Sequence, residues 1–433
     1  MVEILKKFLC IAVSSAVILC TALSGCMTGR TASATELMFD TVVSIKVTAS
    51  GTDRAEEILK GAIELCKKYD EMLDMYNDKS ELSRINSLFD SAENPDENSD
   101  ENSDENSRDG SDNNSDNDFD NNSGVDSRST VAVEVSDDIR ELLEASKRYY
   151  DLSGGSFDVT VAPISKLWNT QSDMPRVPKE EEISSLLETV GFDRVKIEGN
   201  TVTAPVGTKL DFGGIAKGFV AGKITEFIRM SGASGVVINL GGNVTLSGNG
   251  THTVGIQKPF SDTGELAAKV EVTGERSVVT SGSYQRYFVL NGKLYHHIID
   301  PETGSPAQSG LSSVTVISSD HTAADALSTA LFVLGYQKGV ELLKNADGVE
   351  AVFIDDQGNI LLSDGLAAAG ETIKEKDPPI SADGRIRGSP FPKVLMPPTD
   401  SVGLVGSERY AVPIDSCSSA SVFYGSASAV IFR

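Results

Sequence analysis

The chain has 433 residues and a net charge of −25, with 63 acidic against 38 basic side chains. That balance excludes a nucleic-acid binder, which needs a basic footprint for phosphate, and the composition excludes collagen, coiled-coil and multi-span membrane classes. An apolar leader, an acidic low-complexity stretch and a weakly patterned tail together leave about 305 residues, enough for one large domain or two fused subdomains.

Lys6 and Lys7 precede an apolar run from Phe8 to Leu23. The run is short for a membrane span, so residues 1–25 read as a signal peptide. Leu23-Ser24-Gly25-Cys26 fits a lipobox, with cleavage before Cys26 and lipid on its thiol. The body is then expected outside the cytoplasm, lipid-anchored to the cell membrane through a tether at 26–35. Cys10 and Cys20 leave with the signal. Cys66 and Cys417 remain, and no CxxC or Cys/His cluster indicates a disulfide framework or a zinc site.

Alternation predicts a strand over Thr41–Thr48, and apolar residues at helical spacing predict a helix over Asp53–Tyr76. From Ser91 to Thr130 acids outnumber bases 13 to two, and apolar residues are almost absent. Such a stretch cannot offset its ordering entropy and is expected to be a disordered insertion over 91–130. Val131–Val135 resumes a strand. Ser136 caps a helix running to about Leu152, closed by Gly154-Gly155. A short helix over about Lys179–Val190 follows, then a hairpin of Val195–Ile197 with Thr201–Thr203. Asp211–Gly218 is a glycine-rich turn opening a helix that ends at Ser231-Gly232. Val236–Leu240 reads as a buried strand stopped by Gly241-Gly242, and several strands lie between Thr251 and Ile299. Helices over Thr322–Gly335 and near Val340–Lys344 precede a final hairpin, Ala351–Leu362. The irregular alternation of helices and strands favours α+β, with mixed or antiparallel sheets and packed helices, over a doubly wound fold. Residues 371–433 carry no functional assignment and are expected to be a disordered tail.

Six segments can carry chemistry. Asp211-Phe-Gly-Gly-Ile-Ala-Lys-Gly218 joins glycines to a helix N-terminus and adds Lys217, a combination suited to anions though neither a Walker A nor a GxGxxG pattern. Asn239-Leu-Gly-Gly-Asn243 ends a strand in two glycines, which admits a ligand or another backbone. In His296-His297-Ile-Ile-Asp300-Pro-Glu-Thr-Gly304 a histidine near a carboxylate can serve as base or ligand. Asp325 and Thr329 are i,i+4 on one helix face and can reach one Mg²⁺; Asp325 can equally cap a core helix. Ser153-Gly-Gly-Ser-Phe-Asp158 and Thr280-Ser-Gly-Ser-Tyr-Gln-Arg286 are polar turns of weaker individual standing.

In order along the chain, these segments, with Phe39–Val43 and Ser80–Asn86, resemble the FAD:protein FMN transferase family, the ApbE family. The resemblance spans about residues 36–365 and implies a domain over 36–370, interrupted by the acidic insertion. It implies a T-fold-related α+β domain that cleaves FAD and transfers FMN to a Thr or Ser hydroxyl of an extracytoplasmic protein, releasing AMP. It implies Mg²⁺ on the main-chain carbonyl of Gly214 with Asp325 and Thr329. Flavin contacts carry over to Ser156, Phe157 and Asp158, to Asp211 and Lys217, and to His297 and Ile298, with Phe39 and Tyr76 lining the pocket. The acceptor by resemblance is a membrane electron-transport subunit bearing a Thr/Ser flavinylation motif. A threonyl hydroxyl is a poor nucleophile and needs a base; His297 or Asp300 is the candidate, with Lys217 neutralising pyrophosphate charge. Two other readings are an FAD pyrophosphatase giving FMN and AMP, and a non-catalytic flavin-binding lipoprotein. The Asp325/Thr329 pair disfavours the second, because a pure binder has little need of a metal at the pyrophosphate.

Overall fold

The computed structural model describes residues 29–90, 129–172, 174–261 and 265–366, and the backbone of three short strands beyond them. Seven helices are described: α1 (Thr52–Leu73), α2 (Glu81–Leu88), α3 (Asp137–Ser153), α4 (Ala162–Trp168), α5 (Glu180–Leu187), α6 (Ala216–Met230) and α7 (His321–Leu343). None of them is long and apolar enough to cross a membrane.

The main sheet has eight strands. In spatial order they are β1 (Arg30–Met38), β2 (Thr41–Ala49), β6 (Gly235–Leu240), β7 (Asn243–Gly248), β10 (Arg276–Gly282), β15 (Leu311–Ser318), β16 (Glu350–Asp355) and β17 (Ile360–Leu362). Every neighbouring pair is antiparallel. The period of two along each strand feeds two cores. Val279, Val314, Val316, Ala351 and Phe353 join the helices α1, α6 and α7 on one face. Val244, Leu246, Val278, Ile317, Val352 and Ile354 meet β8 (Thr251–Gln257) and β9 (Leu266–Thr273) on the other. Strand β15 is buried at all eight positions, as a central strand covered on both faces must be.

A three-stranded sheet of β3 (Thr130–Glu134), β5 (Thr201–Pro205) and β4 (Lys196–Glu198) and two small hairpins complete the α+β architecture. The hairpins are β11 (Tyr287–Leu290) with β12 (Lys293–His296), and β13 (Ile299–Asp300) with β14 (Ser305–Pro306).

Local signals place most boundaries. The Ser136 hydroxyl accepts from Ile139 N, and Gly154 ends α3 at φ 61°. Helix α7 breaks at Gly335 (φ 76°, ψ 174°), where the sequence divides it into two helices.

Three segments depart from expectation. Residues 30–35 of the expected tether belong to β1, because Ala32 and Ala34 pack against the helix-side core and the whole strand pairs with β2. Thr130, the last residue of the expected acidic insertion, is the first of β3, and Ser129, before it, bonds to Val206; residues 91–128 of the disorder assignment and the lipidation site Cys26 lie outside the described residues. The tail supplies β18 (Lys393–Leu395), β19 (Val422–Tyr424) and β20 (Ser428–Ile431), which pair antiparallel with β9, β20 and β8 respectively to make a five-stranded sheet. The remaining tail residues lie outside the described ones.

The two ends of the acidic insertion are held side by side. Phe89 O accepts from Gly207 N at 2.7 Å and Ser129 O accepts from Val206 N at 2.9 Å. The motif just before it has a local purpose: the Asn86 amide donates to Leu210 O (2.9 Å) and accepts from Leu210 N (2.7 Å). Side-chain pairing of this kind fixes the backbone that enters the next functional turn at Asp211.

Candidate active site

An open-mouthed cleft lies where the N-terminus of α6, the body of α7, the ends of β7 and β10 and the segment 297–301 converge. Its floor is the turn 211–215. Asp211 Oδ1 accepts from Gly213 N at 2.7 Å, and Ile215 N and Ala216 N both donate to Phe212 O, so the chain enters α6 already curled. Helices α6 and α7 cross at Gly218. A Cβ there would stand 2.4 Å from His321 O and 2.6 Å from Asp325 Cβ. Only glycine permits this approach.

The crossing explains the geometry of Asp325. It is 3% exposed. Its Oδ2 accepts from Gly218 N at 2.8 Å, so it satisfies a first-turn donor of α6 from the neighbouring helix. Its Oδ1 lies 4.0 Å from Lys217 Nζ, an ion-pair distance too long for a hydrogen bond. Lys217 Nζ donates instead to Gly213 O at 2.9 Å, which folds the lysine over the turn. One helical turn on from Asp325, Thr329 Oγ1 sits 3.3 Å from Ser281 Oγ. An added Cβ on Gly214 would meet Thr329 Oγ1 at 3.3 Å and the Phe157 ring at 3.2 Å. Gly214, Asp325 and Thr329 are therefore brought together.

The loop 153–158 packs beside them. Ser156, Phe157 and Asp158 all line the cleft. The Asp158 carboxylate, however, is already committed. Oδ1 accepts from Thr160 N (2.7 Å) and Thr160 Oγ1 (2.6 Å), and Oδ2 accepts from Phe192 N (3.1 Å). Burial raises its pKa against the pull of those bonds. This side chain organises its own loop and has little left for a ligand.

The two adjacent histidines point to different places. His296 is buried, its Nε2 donates to Ala307 O at 3.0 Å, and its ring meets Phe332 edge-on. His297 lines the cleft. A carbonyl can only accept, so the 3.3 Å contact of His297 Nδ1 with Arg286 O puts the proton on Nδ1 and leaves Nε2 as the acceptor. Burial, reinforced by Arg286, His296 and Lys217, holds its pKa well below 6.5. His297 is neutral at neutral pH, as a general base must be.

Three expected site residues fall outside the cleft lining. Asp300 Oδ1 accepts from Glu302 N at 3.0 Å, and its carbonyl accepts from Gly304 N at 2.8 Å, because the turn at 301–304 needs both acceptors. One oxygen of its carboxylate is thus held by the turn, and Asp300 does not line the cleft as His297 does. Phe39 and Asp40 form the β1–β2 turn with φ of 52° and 54°, a left-handed pair that suits glycine or asparagine far better than phenylalanine. Asp70 Oδ1 anchors the turn by accepting from Phe39 N at 2.7 Å. Tyr76 is 74% exposed and senses the charges of Asp211 and Arg286, which places it beside the mouth.

Among the cleft residues that lie in motifs already noted but carry no assignment from sequence, two stand out by their chemistry. Arg286 adds a second cation to Lys217. Asn243 brings a buried amide. Strand and turn membership is readable locally, but which side chain of Asn239–Asn243 faces the cavity depends on strand register.

Among the described residues no three His, Cys, Asp or Glu side chains converge as a metal cluster. The group of Gly214, Asp325 and Thr329 has a different chemistry, all oxygen with a single carboxylate. That donor set fits a hard cation that completes its shell with phosphate and water.

The chain is similar to curated proteins called FAD:protein FMN transferase. It is 36% identical over 234 residues to one from Klebsiella pneumoniae, covering 53% of this chain and 73% of that protein. It is 37% identical over 254 residues to one from Treponema pallidum, covering 54% and 70%. Among solved structures, the ApbE protein of Thermotoga maritima superposes with a TM-score of 0.63 at 26% identity, covering 80% of this chain and all of that one. The apo flavinyl transferase ApbE of Pseudomonas stutzeri shares the fold with a TM-score of 0.62 at 24% identity, covering 79% of this chain and 97% of its own. The sequence profile of the ApbE family matches residues 39–353, and with the cleft assembled from that family's motifs the chain belongs to the ApbE family.

Proposed function

We propose that this protein transfers FMN from FAD to a Thr or Ser hydroxyl of an acceptor protein outside the cytoplasm, with Mg²⁺ at the pyrophosphate and release of AMP. The coarser activity, flavin transfer from FAD to a protein, follows from family membership and the named relatives. The observation that carries the finer reading is the meeting of Lys217, Gly214, Asp325, Thr329, Arg286 and His297 in one cleft.

A pyrophosphate diester carries two negative charges, which repel an incoming hydroxyl. Lys217 and Arg286 supply positive charge where FAD would lie. The main-chain carbonyl of Gly214, the Asp325 carboxylate and the Thr329 hydroxyl would hold Mg²⁺, which when bound supplies further charge neutralisation to the phosphates. His297 Nε2 accepts the proton of the acceptor hydroxyl as its oxygen attacks the FMN phosphorus. The new P–O bond joins FMN to the acceptor. The bond from that phosphorus to the bridging oxygen breaks, and AMP leaves with the bridging oxygen.

The test is a mass spectrum of an acceptor domain incubated with the full chain, FAD and Mg²⁺, with AMP followed in parallel. An acceptor heavier by one FMN, with AMP formed and both lost on adding a chelator, is the expected result. AMP formed while a Thr/Ser-motif acceptor stays unmodified would give the pyrophosphatase reading, and bound FAD with neither product the carrier reading. The leader and the lipobox at Leu23–Cys26 support a reading in which this activity is anchored at the membrane. Lipid labelling that persists in Cys26→Ser would remove that anchor.

A further inference from the structure

Asn243 opens β7 directly after Gly241 and Gly242, both at positive φ (60° and 97°). The residue is 1% exposed and lies in the wall of the cleft. Among the described residues neither its Oδ1 nor its Nδ2 has a hydrogen-bond partner. Two other buried asparagines behave differently. Asn239 turns its Oδ1 back to Gly242 N at 2.9 Å, and Asn86 uses both amide atoms on Leu210. An unmet buried donor and an unmet buried acceptor on one side chain are costly and uncommon in a folded protein.

The chemistry of the amide restricts what can satisfy it. A primary amide presents an acceptor beside a donor. Phosphate oxygens only accept, so a phosphate would leave Oδ1 unmet. A nitrogen-ring edge with a donor next to an acceptor answers both atoms. Strand register places the amide accordingly. Asn243 pairs with Val279, and Ser281, two residues on from Val279, shares its face of the sheet. Ser281 reaches Thr329 at 3.3 Å. Asn243 thus stands about two residue spacings, roughly 7 Å along the strand, from the group suited to phosphate. That is the reach of a ring joined through a sugar or polyol.

We propose that Asn243 reads a ring edge of the bound dinucleotide, with Oδ1 accepting from a ring N–H or exocyclic amino group and Nδ2 donating to the adjacent ring acceptor. The inference rests on the reading of the cleft as an FAD site. Two rings of FAD carry such an edge: the imide of the isoalloxazine (N3–H beside a carbonyl) and the amidine of adenine (the 6-amino group beside N1). Asn243 makes the cleft specific for one of them.

The test titrates the full chain with FAD, FMN, 3-methyl-FMN, ADP and purine riboside diphosphate, the last lacking the 6-amino group. Asn243→Ala and Asn243→Asp are titrated alongside. If the amide reads the flavin, wild type prefers FMN to 3-methyl-FMN by about tenfold or more, and the variants lose that preference while ADP binding is unchanged. If it reads adenine, the same pattern holds for ADP over purine riboside diphosphate. The analogue comparisons use wild type, so a variant that fails to fold leaves them intact. Equal binding of each analogue pair by wild type would overturn the proposal, as would variants that bind every ligand like wild type. Wild type that binds none of the five ligands would instead sink the FAD reading itself.

Discussion

Asp158 and Asp325 are both buried, both line the same cleft and both accept from backbone N–H groups, yet their surroundings give them opposite work. Asp158 sits in a loop that turns on itself, and three donors from Thr160 and Phe192 occupy its two oxygens. Asp325 sits where two helices cross. One oxygen meets a single donor, Gly218 N, and the other faces Lys217 across 4.0 Å. A carboxylate whose lone pairs are taken up by its own loop is structure. One left half-engaged beside a lysine and a threonine hydroxyl is available for chemistry. Exposure alone does not separate them; the count and direction of donors do.

The largest expected effect tests the half-engaged carboxylate. Asp325→Asn keeps an acceptor for Gly218 N and removes the charge. Turnover, read as AMP release at saturating FAD and Mg²⁺, should fall by about 10²–10³-fold or more while the melting temperature stays close to wild type. Undiminished turnover would mean that Asp325, like Asp158, is a cap and nothing else. Next comes the crossing that positions it. In Gly218→Ala the new Cβ would collide with His321 O and Asp325 Cβ, so stability should drop by about 1–3 kcal/mol and turnover should drop with it. Normal activity in that variant would detach Asp325 from the crossing.

The opposite split is expected for Asp158→Asn. An amide nitrogen replaces one acceptor and leaves a buried donor unmet, at a cost of about 1–3 kcal/mol seen in thermal or denaturant unfolding. Turnover per folded molecule should be unchanged; a selective loss of kcat would erase the contrast drawn here.

The smallest effect is in pH. Because burial holds the His297 pKa well below 6.5, the rate should stay flat as pH falls through 6.5 and decline only in more acid solution. Asp300→Ala should leave that profile in place, since its carboxylate serves the turn. Stability follows the same sign. His296 and His321 also have pKa values lowered by burial, so the unfolded chain binds protons more readily. Their stabilisation is fully present above 6.5 and is lost as pH falls toward the folded values. A rate that halves near pH 6.5 would show an unperturbed histidine acting as base.

Much of this was legible without coordinates. Ser136 and Gly154 bracket α3 because capping is a matter of a few adjacent residues. Asp325 and Thr329 share a face because helical spacing alone puts them there. Strand β1 escaped notice because its modest alternation becomes a strand through its partner β2, and the tail strands likewise depend on β8 and β9 for their ladders. The resemblance brought Asp158 and Asp325 forward together, since a motif marks a position in the chain and says nothing of how many donors will surround it.

The amino-acid sequence by itself determined the family, the order of the motifs, most helix and strand spans and the residue types that meet at the cleft, because these rest on local spacing and short-range chemistry. Tertiary structure decided which motif members face the cavity. Strand register turned Asn243 inward with its amide unmet, a helix crossing at Gly218 set one Asp325 oxygen on backbone and the other toward Lys217, and a turn engaged Asp300 outside the cleft lining. Each of those outcomes depends on contacts between residues far apart in the chain, and direction in space is what no linear spacing carries.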